Sequence, residues 1–314
     1  MRVLLALGGN AMTGPDGSAT PGAQIGAVTG AMAHAARLVA AGHELVITHG
    51  NGPQVGNLLV KNELAAHVVP PVPLDWCGAQ TQGTLGMTIL DALDVALAAV
   101  DADRPVAALV TRTLVQRDDP GFTHPTKPVG RFVDRAAAQR MISHGQVWED
   151  RGEKGWRRVV ASPEPLAVLD VEAARTLLDA GYVVVAAGGG GIPVVRERDG
   201  RLRGVEAVID KDLTAALLGA ALDCDALVIA TDVDHASVGF GTVDQRDLGR
   251  VTLAELRDLA EAGEFASGSM GPKVEAVTRF VAAGGRRGVI TSLAHITDAV
   301  DGGFGTVVEP DPSG

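Results

Sequence analysis

Lysine is scarce in this sequence. Of 27 basic side chains only five are Lys, so Arg is the default cation and each Lys calls for a reason. Lys127 sits in Pro125-Thr126-Lys127-Pro128, and Lys273 closes Gly268-Ser269-Met270-Gly271-Pro272-Lys273. Lys211 lies in Val208-Ile209-Asp210-Lys211-Asp212, where an apolar run meets a helix start. A cation at the opening of a helix opposes the helix dipole, so a nearby anionic ligand is the chemistry that would favour it there. A compact ammonium suits a phosphoryl group in transfer. The plain alternative for each is a solvated surface Lys, which is how Lys61 and Lys154 read. Asp212 is placed either to cap the helix or to hold a neighbouring cation.

Two further patterns sit at the ends of apolar runs. Gly8-Gly9, Gly50-Asn51-Gly52 and Gly188–Gly191 each follow such a run. Glycine there makes a tight turn, or lets backbone N–H groups approach an anion without a Cβ in the way. Thr231-Asp232-Val233-Asp234 puts two carboxylates at another run's end, to bond a ribose, orient a lysine or contact magnesium, or simply to form a turn. Walker A and GxGxxG sequences are missing, which disfavours a P-loop or Rossmann site. GxSxG and HExxH are missing as well, and no histidine is assigned to catalysis.

These residues need elements to position them. Val3–Leu7, Glu44–Thr48, Val106–Thr111, Tyr182–Ala187, Ala226–Thr231 and Gly288–Thr291 are short apolar runs that read as buried parallel strands. Between them, helical spacing runs over Gln24–Ala41, Thr84–Val100, Val171–Ala180, Thr214–Leu222, Leu253–Ala262 and Lys273–Ala283. Alternation of this kind predicts an α/β fold with a mainly parallel sheet between helices, which binds ligands beyond the carboxyl ends of its strands. Residues 115–160 break the rhythm with Pro120, Pro125, Pro128 and the polar stretch Glu149–Arg158, and read as an inserted lobe or lid within a single domain.

The chain has 314 residues and a net charge of −11, which argues against nucleic acid or an anionic membrane as the main partner. Cys77 and Cys224 match no disulfide framework or zinc spacing and read as buried apolar residues. The first apolar run is too short for a signal-peptide core, so a reducing cytoplasm is expected.

Taken in order, the motifs resemble the carbamate kinases of the amino acid kinase superfamily along nearly the whole chain. They are Leu7-Gly8-Gly9-Asn10-Ala11, Thr48-His49-Gly50-Asn51-Gly52-Pro53-Gln54, Pro125-Thr126-Lys127-Pro128-Val129-Gly130, Gly188–Gly191, Val208–Asp212, Thr231–Asp234 and Gly268–Lys273. The resemblance implies a three-layer αβα sandwich with a small protruding subdomain, assembled as a homodimer. It implies reversible phosphoryl transfer between carbamoyl phosphate and ADP, giving ATP and carbamate, with Mg2+ on the nucleotide. In that family ATP formation usually closes the catabolism of arginine or related nitrogen compounds. By the same resemblance Lys211 and Lys273 flank the transferred group and Asp212 holds them. Gly8, Gly9, Asn10, Gly50, Asn51 and Gly52 shape the substrate and phosphate pocket, and Lys127 closes on it from the lobe. Asp210, Asp232, Val233, Met270 and Gly271 lie around the nucleotide.

Two departures qualify the match. Many members of the superfamily carry a Lys two residues before the Gly-Gly, where this chain has Ala6, a pattern that favours the carbamate kinase branch. After Asp234 the family commonly has an aromatic residue, whereas this chain reads His235-Ala236-Ser237. A related kinase acting on another small acid and a non-catalytic nucleotide-binding regulator are the alternatives. The regulator would be expected to lack Lys211, Asp212 or Lys273.

Overall fold

The computed structural model describes residues 1–14, 20–143, 145–265 and 269–312. Gly268 lies outside the described residues, and so does the side chain of Asn10.

Eight of the described strands form the central sheet. They are β1 (Arg2–Leu7), β2 (Glu44–His49), β3 (Val106–Ala108), β4 (Val183–Val185), β5 (Ala226–Thr231), β6 (Arg250–Thr252), β7 (Arg287–Ser292) and β8 (Thr306–Glu309). Their spatial order is β6-β8-β7-β5-β1-β2-β4-β3. Every neighbouring pair is parallel except β7 and β8, so β6 and β8 run against the rest.

The period of two along β1 explains the three layers. Val3, Leu5 and Leu7 point to one face, against α1 (Pro21–Ala40), α3 (Leu74–Ala98) and α8 (Ile296–Val300). Leu4 and Ala6 point to the other, against α4 (Val171–Asp179), α5 (Lys211–Ala221), α6 (Leu253–Glu261) and α7 (Met270–Ala282). Each fully buried Leu contributes about 1.5–3 kcal/mol, and a one-residue slip of the strand would exchange the two sets. The expected αβα sandwich on a mainly parallel sheet is therefore present.

Several boundaries differ from the pattern read in the sequence. Helix α3 begins ten residues before Thr84, because Gly78, Gly83 and Gly86 dilute its apolar stripe. Gly86 has a packing reason: a Cβ there would stand 3.1 Å from the Ala108 Cβ on β3. The helix α2 (Gly52–Ala65) went unread behind Gly52, Pro53 and Gly56, although Pro is welcome in a first helical turn. Helix α7 starts at Met270 rather than Lys273, and β3 stops at Ala108 rather than Thr111.

The irregular segment holds regular structure of its own. Lys127–Val133, Trp156–Val160 and Val147–Asp150 form a three-stranded antiparallel sheet with Trp156–Val160 in the middle. Arginines and glycines in these short strands hide the alternation. A further four-stranded sheet joins Leu202–Gly204, Ile192–Arg196, Arg112–Val115 and Pro165–Val168.

Candidate active site

The three glycine turns follow β1, β2 and β4, which lie side by side in the sheet. A cleft of about 840 Å³ opens beside them, and the N-termini of α2, α5 and α7 all reach its wall. Three helix N-termini bring partial positive charge to one place.

Asp210 caps α5, its Oδ1 accepting from the Asp212 and Leu213 N–H groups at 2.9 and 3.4 Å. That leaves Asp212 free for the lysines. One of its carboxylate oxygens pairs with Lys211 Nζ, and Oδ2 accepts from Lys273 Nζ at 3.3 Å. Lys273 also donates to the Ser269 carbonyl at 3.1 Å. Asp212 is only 3% exposed and Lys273 8%. Burial pushes the Asp212 carboxyl up, but the charges of Lys211 and Lys273 outweigh it and hold the group below its ordinary range. Breaking a buried arrangement of this kind by deleting one partner costs about 3–5 kcal/mol.

The fold brings the two lysines together through packing behind the site. Helices α5 and α7 meet where the Phe280 ring covers Gly219, and a Cβ on Gly219 would stand 2.9 Å from Phe280 Cε2. A smooth patch on α5 thus lets α7 approach, and the two N-termini converge on Asp212.

Lys127 enters from the three-stranded lobe, its Nζ donating to Asp210 Oδ2 at 3.0 Å. Its side chain is 42% exposed, against 14% for Lys211. Gly50, Asn51 and Gly52 line the cleft, as does Gly189. The Gly188–Gly191 turn is glycine-rich mainly for close approach. At Gly189 φ is +66°, and a Cβ would fall 2.1 Å from Asn51 Nδ2. Gln82 Nε2 and Thr113 Oγ1 hold the Gly188 and Gly190 carbonyls at 2.9 and 2.8 Å.

Other expected residues stand away from the cleft wall. Gly8 and Gly9 lie behind it, where a Cβ on Gly50 would come within 3.3 Å of the Gly9 N–H nitrogen, and the Asn10 backbone continues a short turn of helix. Asp232 and Val233 are exposed beyond β5, and Met270 and Gly271 open α7 just before the lining residues Pro272 and Lys273. Of the residues expected around the nucleotide, Asp210 does line the cleft, beside Lys127.

Three residues were not singled out in the sequence. Arg131 and Arg157 line the cleft from the lobe, hidden among the many arginines. His49 is buried beneath it, its Nδ1–H donating to the Gly50 carbonyl at 3.0 Å. Burial lowers its imidazole to about 4, with Lys211 adding to the shift, so the ring is neutral at ordinary pH. Overall the cleft sets five cations against two carboxylates in a chain of net charge −11. Such a cleft is built for a small, highly charged anion.

A profile of the amino acid kinase family matches residues 1–292. The carbamate kinase of Pyrococcus horikoshii is 41% identical over 98% of this chain and 99% of its own length. The chain belongs to the carbamate kinases of the amino acid kinase family. Carbamate kinase 1 of Enterococcus faecium is 41% identical over 94% of both chains. Among solved structures, a carbamate kinase from Giardia lamblia bound to AMP-PNP superposes with a TM-score of 0.94. It is 40% identical and matches over 99% of this chain and 98% of its own. Full-length similarity of this kind leaves the lobe and the lysine-bearing helices inside the shared structure.

Proposed function

We propose that this chain transfers a phosphoryl group reversibly between carbamoyl phosphate and ADP, giving ATP and carbamate. The observation that carries the reading is the Lys211–Asp212–Lys273 arrangement at two converging helix N-termini. The carbamate oxygen is already anionic, so no general base is needed and the work is positioning and charge stabilisation. Lys211 and Lys273 neutralise charge on the equatorial and bridging oxygens of the transferred group. Because Asp212 fixes both before substrate arrives, little reorganisation accompanies the reaction. Lys127 meets the carbamoyl phosphate from the lobe, which serves as a lid. The turn Gly50-Asn51-Gly52 shapes the substrate pocket, backed by Gly8, Gly9 and Asn10, with the Gly8 and Gly50 N–H groups tied to the Ala230 and Leu7 carbonyls at 2.9 and 3.0 Å. Asp232, Val233, Met270 and Gly271 border the nucleotide.

Magnesium, when bound with the nucleotide, would screen charge on its phosphate oxygens. Asp210 and Asp212 are engaged by lysines, and among the described residues no cluster of three or more His, Cys, Asp and Glu side chains forms a cage. That donor set fits an ion held mainly by phosphate and water. A cytoplasmic site of action is supported by the two buried, unpaired cysteines. A homodimer is supported by the exposed apolar side chains of Trp76, Met87 and Val95 on α3 and of Val110 beyond the edge strand β3.

The test is ATP formation from carbamoyl phosphate and ADP in a coupled assay. Rapid turnover is expected, with Lys211→Ala and Lys273→Ala each lowering kcat by roughly 10²-fold or more. No turnover in the folded wild-type protein, or near-normal turnover in either variant, would overturn the assignment.

A further inference from the structure

Among the described residues, the cleft contains one cation whose charge no carboxylate answers. Lys127 has Asp210, Lys211 and Lys273 share Asp212, and Arg131 Nη2 lies 3.8 Å from Glu63. Arg157, in the central strand of the lobe sheet, has no acidic partner among the described residues. The carboxylate across from it in the ladder, Glu149, is taken by Arg151. The Arg157 Nε is buried and has no hydrogen-bond partner. Its guanidinium lies 5.0 Å over the Phe132 ring, its cross-strand neighbour.

Stacking on an aromatic face fixes the plane of a guanidinium and leaves its in-plane N–H edge free to donate. With Nε shielded, the terminal N–H groups are the ones that a ligand oxygen in the cleft can meet, and that oxygen would answer a charge that has no acidic partner among the described residues. The fork of an arginine matches two oxygens of one oxyanion, which a lysine cannot do. We propose that Arg157 is a binding residue for the carbamoyl phosphate oxyanion, engaging it from the lobe wall opposite Lys211 and Lys273. It discriminates this substrate from the nucleotide, which borders the body of the protein. The proposal rests on the carbamate kinase reading given above.

Steady-state kinetics and calorimetric titration with carbamoyl phosphate on wild type, Arg157→Gln, Arg157→Lys and Phe132→Leu test it. In Arg157→Gln the KM for carbamoyl phosphate is expected to rise at least tenfold, with kcat within threefold and the KM for ADP within twofold. Arg157→Lys keeps the charge but not the fork and recovers only a minor part. Phe132→Leu, which loses only the stack, raises the same KM severalfold and decides the matter if Arg157→Gln fails to fold. An unchanged carbamoyl phosphate KM, or equal rises for both substrates, overturns the proposal. If the wild type does not turn over, the functional reading fails. Calorimetry then decides Arg157 alone, since binding equal to wild type in Arg157→Gln rejects it.

Discussion

Asp212 is held ionised in a buried place by the two ammonium groups it positions, and the balance is electrostatic rather than hydrophobic. His49, one layer beneath, shows the opposite solution: it stays neutral. Its unfolded value near 6.5 falls to about 4 in the native protein. As pH drops from about 6.5 to about 4 the unfolded chain gains a proton that the native His49 resists. Stability contributed by His49 is therefore complete above pH 6.5 and lost towards pH 4. Linkage puts the loss at about 3 kcal/mol. Urea melts at pH 7.5 and 4.5 are expected to differ more in wild type than in His49→Gln, by about that amount, and equal differences would reject the assignment. Lys211, Lys273 and Lys127 were legible because their residue type departs from the chain's habit. Arg157 and His49 were not, since one shares the commonest basic type and the other owes its state to surroundings that only tertiary structure creates.

At the scale of elements, the site depends on how closely α5 and α7 approach, and Gly219 sets that distance. Gly219→Val drives two methyl groups towards Phe280, with a cost of about 1–3 kcal/mol from overpacking. Because the displaced helices carry Lys211 and Lys273, kcat is expected to fall as well. Gly26→Ala on α1, where nothing lies within 4 Å of the added Cβ, is the control and should stabilise slightly. Thermal melts and kcat measured together check this, and an unaffected kcat in Gly219→Val would separate the helix contact from the site. Strands such as Ala226–Thr231 were readable to the residue because both faces are buried and the whole run is apolar. Helix α2 was not, because glycines that serve the turn and the lobe contact at Gly130 look like breakers. The lobe strands were hidden for a related reason: their arginines face a wet cleft, so the alternation of apolar residues is lost.

The whole molecule places a cationic cleft in an acidic chain, which steers small anions to the site while keeping the rest of the surface repulsive to polyanions. Its second large-scale feature is the flank formed by β3 and α3. A groove there is lined by Met87, Leu90 and Val110, beside a strand whose outer edge has no partner among the described strands. Pairing of two copies along this flank would extend the sheet and cover those side chains. Met87→Glu with Val110→Lys is expected to convert a dimer into single chains in sedimentation. A dimer unaltered by both changes would place the contact elsewhere. Among the described strands the opposite border of the sheet offers no matching template. There β6 passes directly into α6, and Arg250 engages Glu309 and the Gly302 carbonyl. Association through β3 would consequently be self-limiting: a twofold pairing would use up the one extensible border of the sheet among the described strands, closing the assembly at two copies.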